Sequence, residues 1–411
     1  MKYFYVSTQN CTNYRDLRIP KLERMKSRLK KIFQFKYLVV LYVLVVGITT
    51  AQTYAIPTKI FEEEPSIVYT TYNNYIIFKQ SFYHLLAGQD IYIHYPSEHW
   101  DLYKYSPTFS LLFGPLAGLP DMLGLTIWNL INVLVFAFSI RYLPVLTLRQ
   151  KNWILLASFV ELLTSIQNLQ SNGLIAGFLV YSFGFMEREK YGWAALMLVL
   201  SVYVKLFGLV GFVLFLFYPH KLKAAGWTLF WGVVLFFLPL LFVGWDSLLS
   251  QYESWGRMLA NDYDESLGLS VAGWLQSWFG LTPNKNYVVL AGALMLLAPL
   301  VQVQKYRQYG FRLLTLSALL IWVVIFNHKA ESPTFILAVA GVSIWFFSRE
   351  RSLINTILFV LVMVFTSFSV TDFFPGAWKG AFLIPYVIKA VPCILVWAKI
   401  EFWDAWGASE A

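Results

Sequence analysis

Residues 73–120 read NNYIIFKQSFYHLLAGQDIYIHYPSEHWDLYKYSPTFSLLFGPLAGLP, and their reading decides the fold. This is the one long polar, aromatic-rich segment in a chain that is otherwise mostly apolar. It holds three of the five histidines, His84, His94 and His99, with the carboxylates Asp90, Glu98 and Asp101. A loop of this kind between apolar helices is kept when it carries function. It reads as one wall of a site, with the apolar segments around it as scaffold.

Working outward, the 411 residues are 58% hydrophobic, 18% aromatic and only 13% charged. Soluble domains carry about 25% charged residues, so the fold class is an all-α polytopic membrane protein. The net charge of +9 does not indicate nucleic acid, because the basic residues lie in short loops and an N-terminal tail. Cys11 falls in that tail and Cys393 in the last apolar run, so a disulfide is not expected.

Three regions follow: a cytoplasmic basic tail at 1–36, a transmembrane domain at 37–400 and a C-terminal tail at 401–411. The tail, with Arg15, Arg18, Lys21, Arg24, Lys26, Arg28, Lys30, Lys31 and Lys36, reads as an amphipathic helix on the inner leaflet. A positive-inside anchor is the plainer alternative. Apolar runs near 37–56, 121–141, 152–166, 172–187, 191–204, 206–219, 226–244, 287–303, 311–327, 334–348, 353–369 and 383–400 make about twelve spans, with both termini inside. Residues 57–120 form a first outer loop, with an interfacial helix over 67–86 capped by Gly88. Pro107–Pro120 is too short to cross and reads as re-entrant or interfacial. Residues 245–286 form a second long outer loop, and the pair 191–219 reads as two short spans turning at Lys205.

This topology gathers uncommon polar groups on one side: the first loop, QNLQSN at 167–172, Lys205 in YVKLFG, and NHKAESP at 327–333. Intramembrane or span-end charges need a reason. Each has a plain one too. Asp101 and Glu98 fit solvated loop carboxylates, Lys205 fits a snorkelling lysine, His328 fits a satisfied span-end histidine, and Glu161 fits a structural pair. The spacing of His84, His94 and His99 does not match zinc patterns.

The order of these segments resembles glycosyltransferase family 87, membrane enzymes of the GT-C type that use polyprenyl-phosphate sugars and include mannosyltransferases. Leu86, Gly88 and Tyr92 match a Leu-x-Gly-x-x-x-Tyr pattern, and Tyr105-Ser106-Pro107 stands where the family has Tyr-Pro-Pro. Leu169-Gln170-Ser171-Asn172 matches Gly-Gln-x-Asn without the glycine. Lys205-Leu206-Phe207-Gly208 matches Lys-x-x-Pro without the proline, and His328 to Pro333 matches a late Ser-Pro and histidine cluster. The resemblance spans roughly residues 37–345.

It implies a GT-C-like bundle and an inverting hexosyl transfer, of mannose by analogy, to a glycan or lipid-linked acceptor on the outer face of a bacterial inner membrane. The bilayer, the lipid-phosphate sugar and a glycan or glycolipid acceptor are the partners, with no nucleic acid, no cofactor and no metal site. One departure matters. The family's aspartate at the start of the interfacial helix falls on Asn74, 18 residues before Tyr92, and an amide takes no proton at neutral pH. Asp101 is the first substitute as base, then Glu98, Asp90 and Glu331. For the donor phosphate, Lys205, Lys329, His328 and Lys104 supply cations; Asn74, Tyr105, Gln170, Asn172 and Glu331 complete the expected binding set. A flippase for the same lipid-linked sugar, acting without transfer, is the alternative, and a non-catalytic assembly partner the third reading.

Overall fold

The computed structural model describes residues 34–63, 66–261 and 267–407. The basic tail with Cys11 falls almost wholly outside them. Helix α1 (Phe35–Ala55) leads to a two-stranded antiparallel hairpin, β1 (Lys59–Phe61) and β2 (Ile67–Tyr69), then α2 (Asn73–Leu86) and α3 (Pro107–Ala117). A run of longer helices follows: α4 (Asp121–Tyr142), α5 (Leu148–Gln167), α6 (Asn172–Met186), α7 (Tyr191–Val204) and, after a 3₁₀ run at Leu206–Phe217, α8 (Lys221–Phe237). Then come α9 (Trp245–Asn261), α10 (Val271–Phe279), α11 (Lys285–Leu297), α12 (Tyr309–Ile325), α13 (Phe335–Ser348), α14 (Leu353–Leu361) and α15 (Val391–Lys399).

Four helical stretches among the described residues are long and apolar enough to cross a membrane: Phe35–Ala55, Asp121–Tyr142, Lys221–Leu241 and Leu353–Val370. Most of the other expected spans are helices of 10–17 residues. The burial pattern is that of an apolar bundle in an apolar medium. Phe335 to Phe346 of α13 are buried on every face, whereas α8 buries only Ala224 and Leu235 and exposes Leu229, Phe230 and Val233. A helix apolar all round belongs inside the bundle or against lipid.

The first loop differs from expectation at its start. Residues 67–69 are a strand, not helix, because the β-branched Ile67 and Val68 pair with Phe61 and Ile60. The helix begins at Asn73 and ends as expected, with Gly88 at φ 70°. Helix α3 starts on Pro107, with the Ser106 hydroxyl accepting from the Phe109 amide at 3.1 Å. It is largely buried between α2, α7 and α8: Ser106 Oγ donates to the Tyr203 carbonyl at 2.6 Å and Thr108 Oγ1 to the Leu235 carbonyl at 2.7 Å.

The second long loop contains helix α9, which the sequence reading missed. Its buried Leu248, Gln251, Ser254 and Met258 form one stripe. That stripe docks on the first loop. Gln251 bonds both the Gln89 carbonyl and the Ile91 amide, and Ser254 Oγ donates to Asp90 Oδ2 at 2.7 Å.

The 191–219 region is a hairpin. Lys205 is extended (φ −144°, ψ 141°) between α7 and the 3₁₀ run. The two arms touch where glycine permits: a Cβ on Gly208 would lie 2.8 Å from the Leu198 carbonyl oxygen, and one on Gly211 2.5 Å from the Leu198 side chain. At the open end of the hairpin the Tyr191 and His220 rings sit 5.7 Å apart. The last expected span, 383–400, is broken: a turn with Val387 at φ 52° precedes α15. Here Lys389 Nζ meets Glu161 Oε1 at 2.7 Å, a buried pair that ties this segment to α5 and accounts for Glu161 structurally. Cys393 is a buried free thiol.

Candidate active site at the Lys205 end of the bundle

The turn between α5 and α6 builds the site. Leu169 sits at φ 54°, the left-handed region that favours glycine, at the position where the family motif places one. Its carbonyl is held by the Trp128 indole N–H at 2.9 Å. The turn leaves Gln170 and Asn172 side by side, with Asn172 Nδ2 donating to Gln170 Oε1 at 2.7 Å. Gln170 Nε2 then donates to Glu331 Oε2 at 2.8 Å, joining residues 161 apart in sequence.

Lys205, at the hairpin tip, completes the chain. Its Nζ donates to Asn172 Oδ1 at 3.1 Å, with Gln170 Oε1 further off at 3.5 Å. It also lies 5.6 Å from the centroid of the Tyr105 ring and 5.4 Å from that of Phe207. Burial lowers its pKa from 10.5 to about 8; the Glu331 carboxylate opposes that shift and Lys104 adds to it. The ammonium is therefore oriented by neutral amide oxygens rather than neutralised by a carboxylate. Such a cation is arranged to meet an anion.

Tyr105 packs edge-on against Phe78, 4.9 Å between centroids. Burial holds its phenol well above the usual range; Ser171 opposes this by hydrogen bonding, and the negative charges of Glu331 and Asp101 add to it. Asp101 is exposed, with Oδ1 accepting from the Leu102 amide at 2.7 Å and lying 3.5 Å from Lys104 Nζ. An exposed pair at that distance is worth at most about 1 kcal/mol, so the carboxylate is open to a ligand.

Two asparagines at the start of α2 bring the first loop here. Asn74 Nδ2 donates to the Asn168 carbonyl at 2.8 Å, and Asn73 Oδ1 accepts from the Trp100 amide at 2.8 Å. Asn74 thus stands against the site turn, its amide donating to it.

Glu98 and Asp90 are engaged by other partners, and His328 and Lys329 come just before Glu331 in the chain. Glu98 is drawn to His84, 3.1 Å away. His84 is ten residues beyond Asn74 on α2, about 15 Å along the axis at 1.5 Å per residue. Asp90 has both oxygens engaged, by the Tyr92 amide and the Ser254 hydroxyl. His328 and Lys329 belong to a turn at 327–330, bonded to the 267–269 segment through the Leu269 amide and the Ala330 carbonyl at 3.0 Å. His99 is buried, and desolvation lowers its pKa, with a backbone bond at Asp101 and the charge of Glu98 opposing. Among the described residues no group of three or more His, Cys, Asp or Glu side chains is placed to hold a metal ion. Sequence reading missed Asn168 and Ser171 as site residues, although both lie within the quoted QNLQSN run.

A search of curated proteins finds no match to the chain. The family model of glycosyltransferase family 87 matches residues 103–327, more than half of the 411 residues. The match takes in Tyr105, Gln170, Asn172 and Lys205 and leaves Asn74, Asp101 and Glu331 outside. The chain is a membrane glycosyltransferase and belongs to glycosyltransferase family 87.

Proposed function

We propose that this glycosyltransferase moves a hexose, mannose by family resemblance, from a polyprenyl-phosphate sugar to a glycan or lipid-linked acceptor. The reaction takes place at the outer face of a bacterial inner membrane, in a chain of about twelve spans with both termini cytoplasmic. The observation that carries the reading is Lys205, held at a hairpin tip by amide oxygens of Asn172 and Gln170. An ammonium so placed binds the donor phosphate and stabilises it as it leaves. The Tyr105 ring beside it adds an aromatic wall.

The acceptor oxygen forms a bond to the anomeric carbon while the bond from that carbon to the phosphate oxygen breaks. Polyprenyl phosphate departs, and the acceptor proton passes to a carboxylate. Asp101 takes that role in this reading, being exposed beside the site and paired only loosely with Lys104. Glu331 is the second candidate, because Gln170 holds it within the same chain of bonds as Lys205.

Transfer of labelled mannose from polyprenyl-phosphate mannose in membranes tests this. Asp101→Asn is expected to lower transfer by about 10²–10⁴-fold, the usual contribution of a general base, with donor binding retained. Unchanged transfer in Asp101→Asn together with its loss in Glu331→Gln moves the base to Glu331. Wild-type protein that binds the donor and exchanges it between leaflets, yet transfers to no acceptor, counts against the transferase and for a flippase. That rival rests on Asn74, an amide where the family has its carboxylate.

A further inference from the structure

Beside Asp101 the first loop builds an aromatic surface that the transfer chemistry does not use. Phe61 and Tyr69 lie on one face of the β1–β2 hairpin, since alternate residues of paired strands share a face. Both meet Trp100: its ring centroid is 6.2 Å from that of Phe61 and 6.3 Å from that of Tyr69, the latter edge-on. All three stay open, with Trp100 51%, Phe61 44% and Tyr69 38% exposed.

The surface is held rigidly to the site. The Val68 amide bonds the Pro96 carbonyl at 2.8 Å, the His94 ring bonds the Trp100 carbonyl at 3.0 Å, and the Trp100 amide bonds Asn73, the neighbour of Asn74. Exposed Glu62 and Glu63 follow β1 directly. Tyr103, the other aromatic near Asp101 in sequence, is buried at 1% exposure and takes no part.

Two occupants suit exposed aromatics on a membrane protein: lipid headgroups and sugars. Lipid is disfavoured on two grounds. Glu62 and Glu63 would meet anionic headgroups with like charge and outnumber Lys59, the one cation that the strand register places on the aromatic face. And Phe61 and Tyr69 face the loop that carries Asp101, whereas Ile60, 65% exposed, and Val68 are the apolar residues on the opposite face. A pyranose presents an apolar C–H face that stacks on an aromatic ring, and hydroxyls at its edge that carboxylates accept from. We propose that Trp100, Phe61 and Tyr69 form an acceptor subsite for a carbohydrate chain, seating the sugar next to the one whose hydroxyl reaches Asp101. The proposal rests on the transferase reading above and names its acceptor class, a glycan rather than a lipid hydroxyl alone.

The test uses the full chain in nanodiscs, labelled with 5-fluorotryptophan, with the Trp100 resonance identified by its absence in Trp100→Phe. Mannotriose, maltotriose and galactotriose are the sugar probes, and polyprenyl phosphate, followed by its phosphorus signal, is the donor probe. At least one trisaccharide is expected to shift the Trp100 resonance. Phe61→Ala and Tyr69→Ala are each expected to weaken that binding about threefold to tenfold, in line with single aromatic contacts, with polyprenyl phosphate binding unchanged. A soluble gadolinium chelate is expected to broaden the resonance. No shift with any of the three sugars overturns the subsite, and broadening by nitroxide-labelled lipid instead assigns the surface to the bilayer. Failure of polyprenyl phosphate to bind, with the sugar shift intact, strikes the donor reading and leaves the carbohydrate site standing.

Discussion

The two ends of helix α6 treat charge in opposite ways. At one end Glu187 receives the Arg312 guanidinium twice, Nε to Oε1 at 2.6 Å and Nη2 to Oε2 at 2.7 Å, and the Tyr218 hydroxyl at 2.5 Å. Arg312 also donates to the Tyr306 carbonyl. At the other end, Asn172 offers Lys205 one amide oxygen, and Glu331, whose charge Lys205 feels, bonds Gln170 instead. The same α7 hairpin supplies Tyr218 to the first cluster and Lys205 to the second. A cluster whose charges are mutually satisfied holds helices together. One whose cation meets only dipoles is incomplete until an anion arrives.

The sharpest way to break this contrast is to remove one charge from each end. Glu187→Gln strands a guanidinium only 13% exposed, and losing one partner of such a buried pair costs about 3–5 kcal/mol. Thermal unfolding in detergent should show a large loss, with transfer per folded molecule nearly intact. Lys205→Gln should do the reverse, keeping the unfolding temperature within a few degrees and weakening polyprenyl-phosphate binding about tenfold to a hundredfold, the value of a charge-assisted hydrogen bond. Equal destabilisation by both variants would erase the distinction.

The pH dependence sharpens the same point. Lys205 titrates near pH 8 in the fold, below its ordinary 10.5. Between these values the unfolded chain holds more protons, so this residue makes stability rise with pH. The ammonium needed for phosphate disappears over the same window, so donor affinity falls above pH 8. Titration of donor binding and unfolding against pH should therefore give slopes of opposite sign, and Lys205→Gln should flatten both.

How far the site was legible in the sequence follows from what each residue's position depends on. Gln170, Asn172 and Lys205 sit at turns between apolar runs, and alternation of basic loops was enough to bring those turns to one end. The pairing of Gln170 with Glu331 depends on how α5 packs on the segment before α13, which periodicity does not encode. The β1–β2 hairpin was hidden because its three-residue strands are too short to display alternation against helical spacing. Helix α9 was hidden by polarity: WDSLLSQYESWGRMLAN looks like a loop until Asp90 and Gln89 give its polar stripe something to bond. The partner of Glu98 was hidden for a similar reason. Glu98 contacts His84, fourteen residues back on α2, a pairing that no local spacing displays.

The smallest effect probes the turn that sets up the incomplete end. Leu169 is 1% exposed and at positive φ, so its side chain is packed while its backbone is strained. Leu169→Ala loses the packing and keeps the strain, because alanine still carries a Cβ. Leu169→Gly loses the same packing and relieves the strain, worth about 1 kcal/mol. Glycine should therefore be the more stable of the two, reversing the order expected where φ is negative. Glycine is also the residue the family motif places here, so Leu169→Gly should keep Gln170 and Asn172 aimed at Lys205 and leave donor binding at the level of the alanine variant or above it. Calorimetry of both variants, with donor binding measured on the same preparations, decides it. An alanine variant more stable than the glycine one would mean that the left-handed turn is not what orients the two amides.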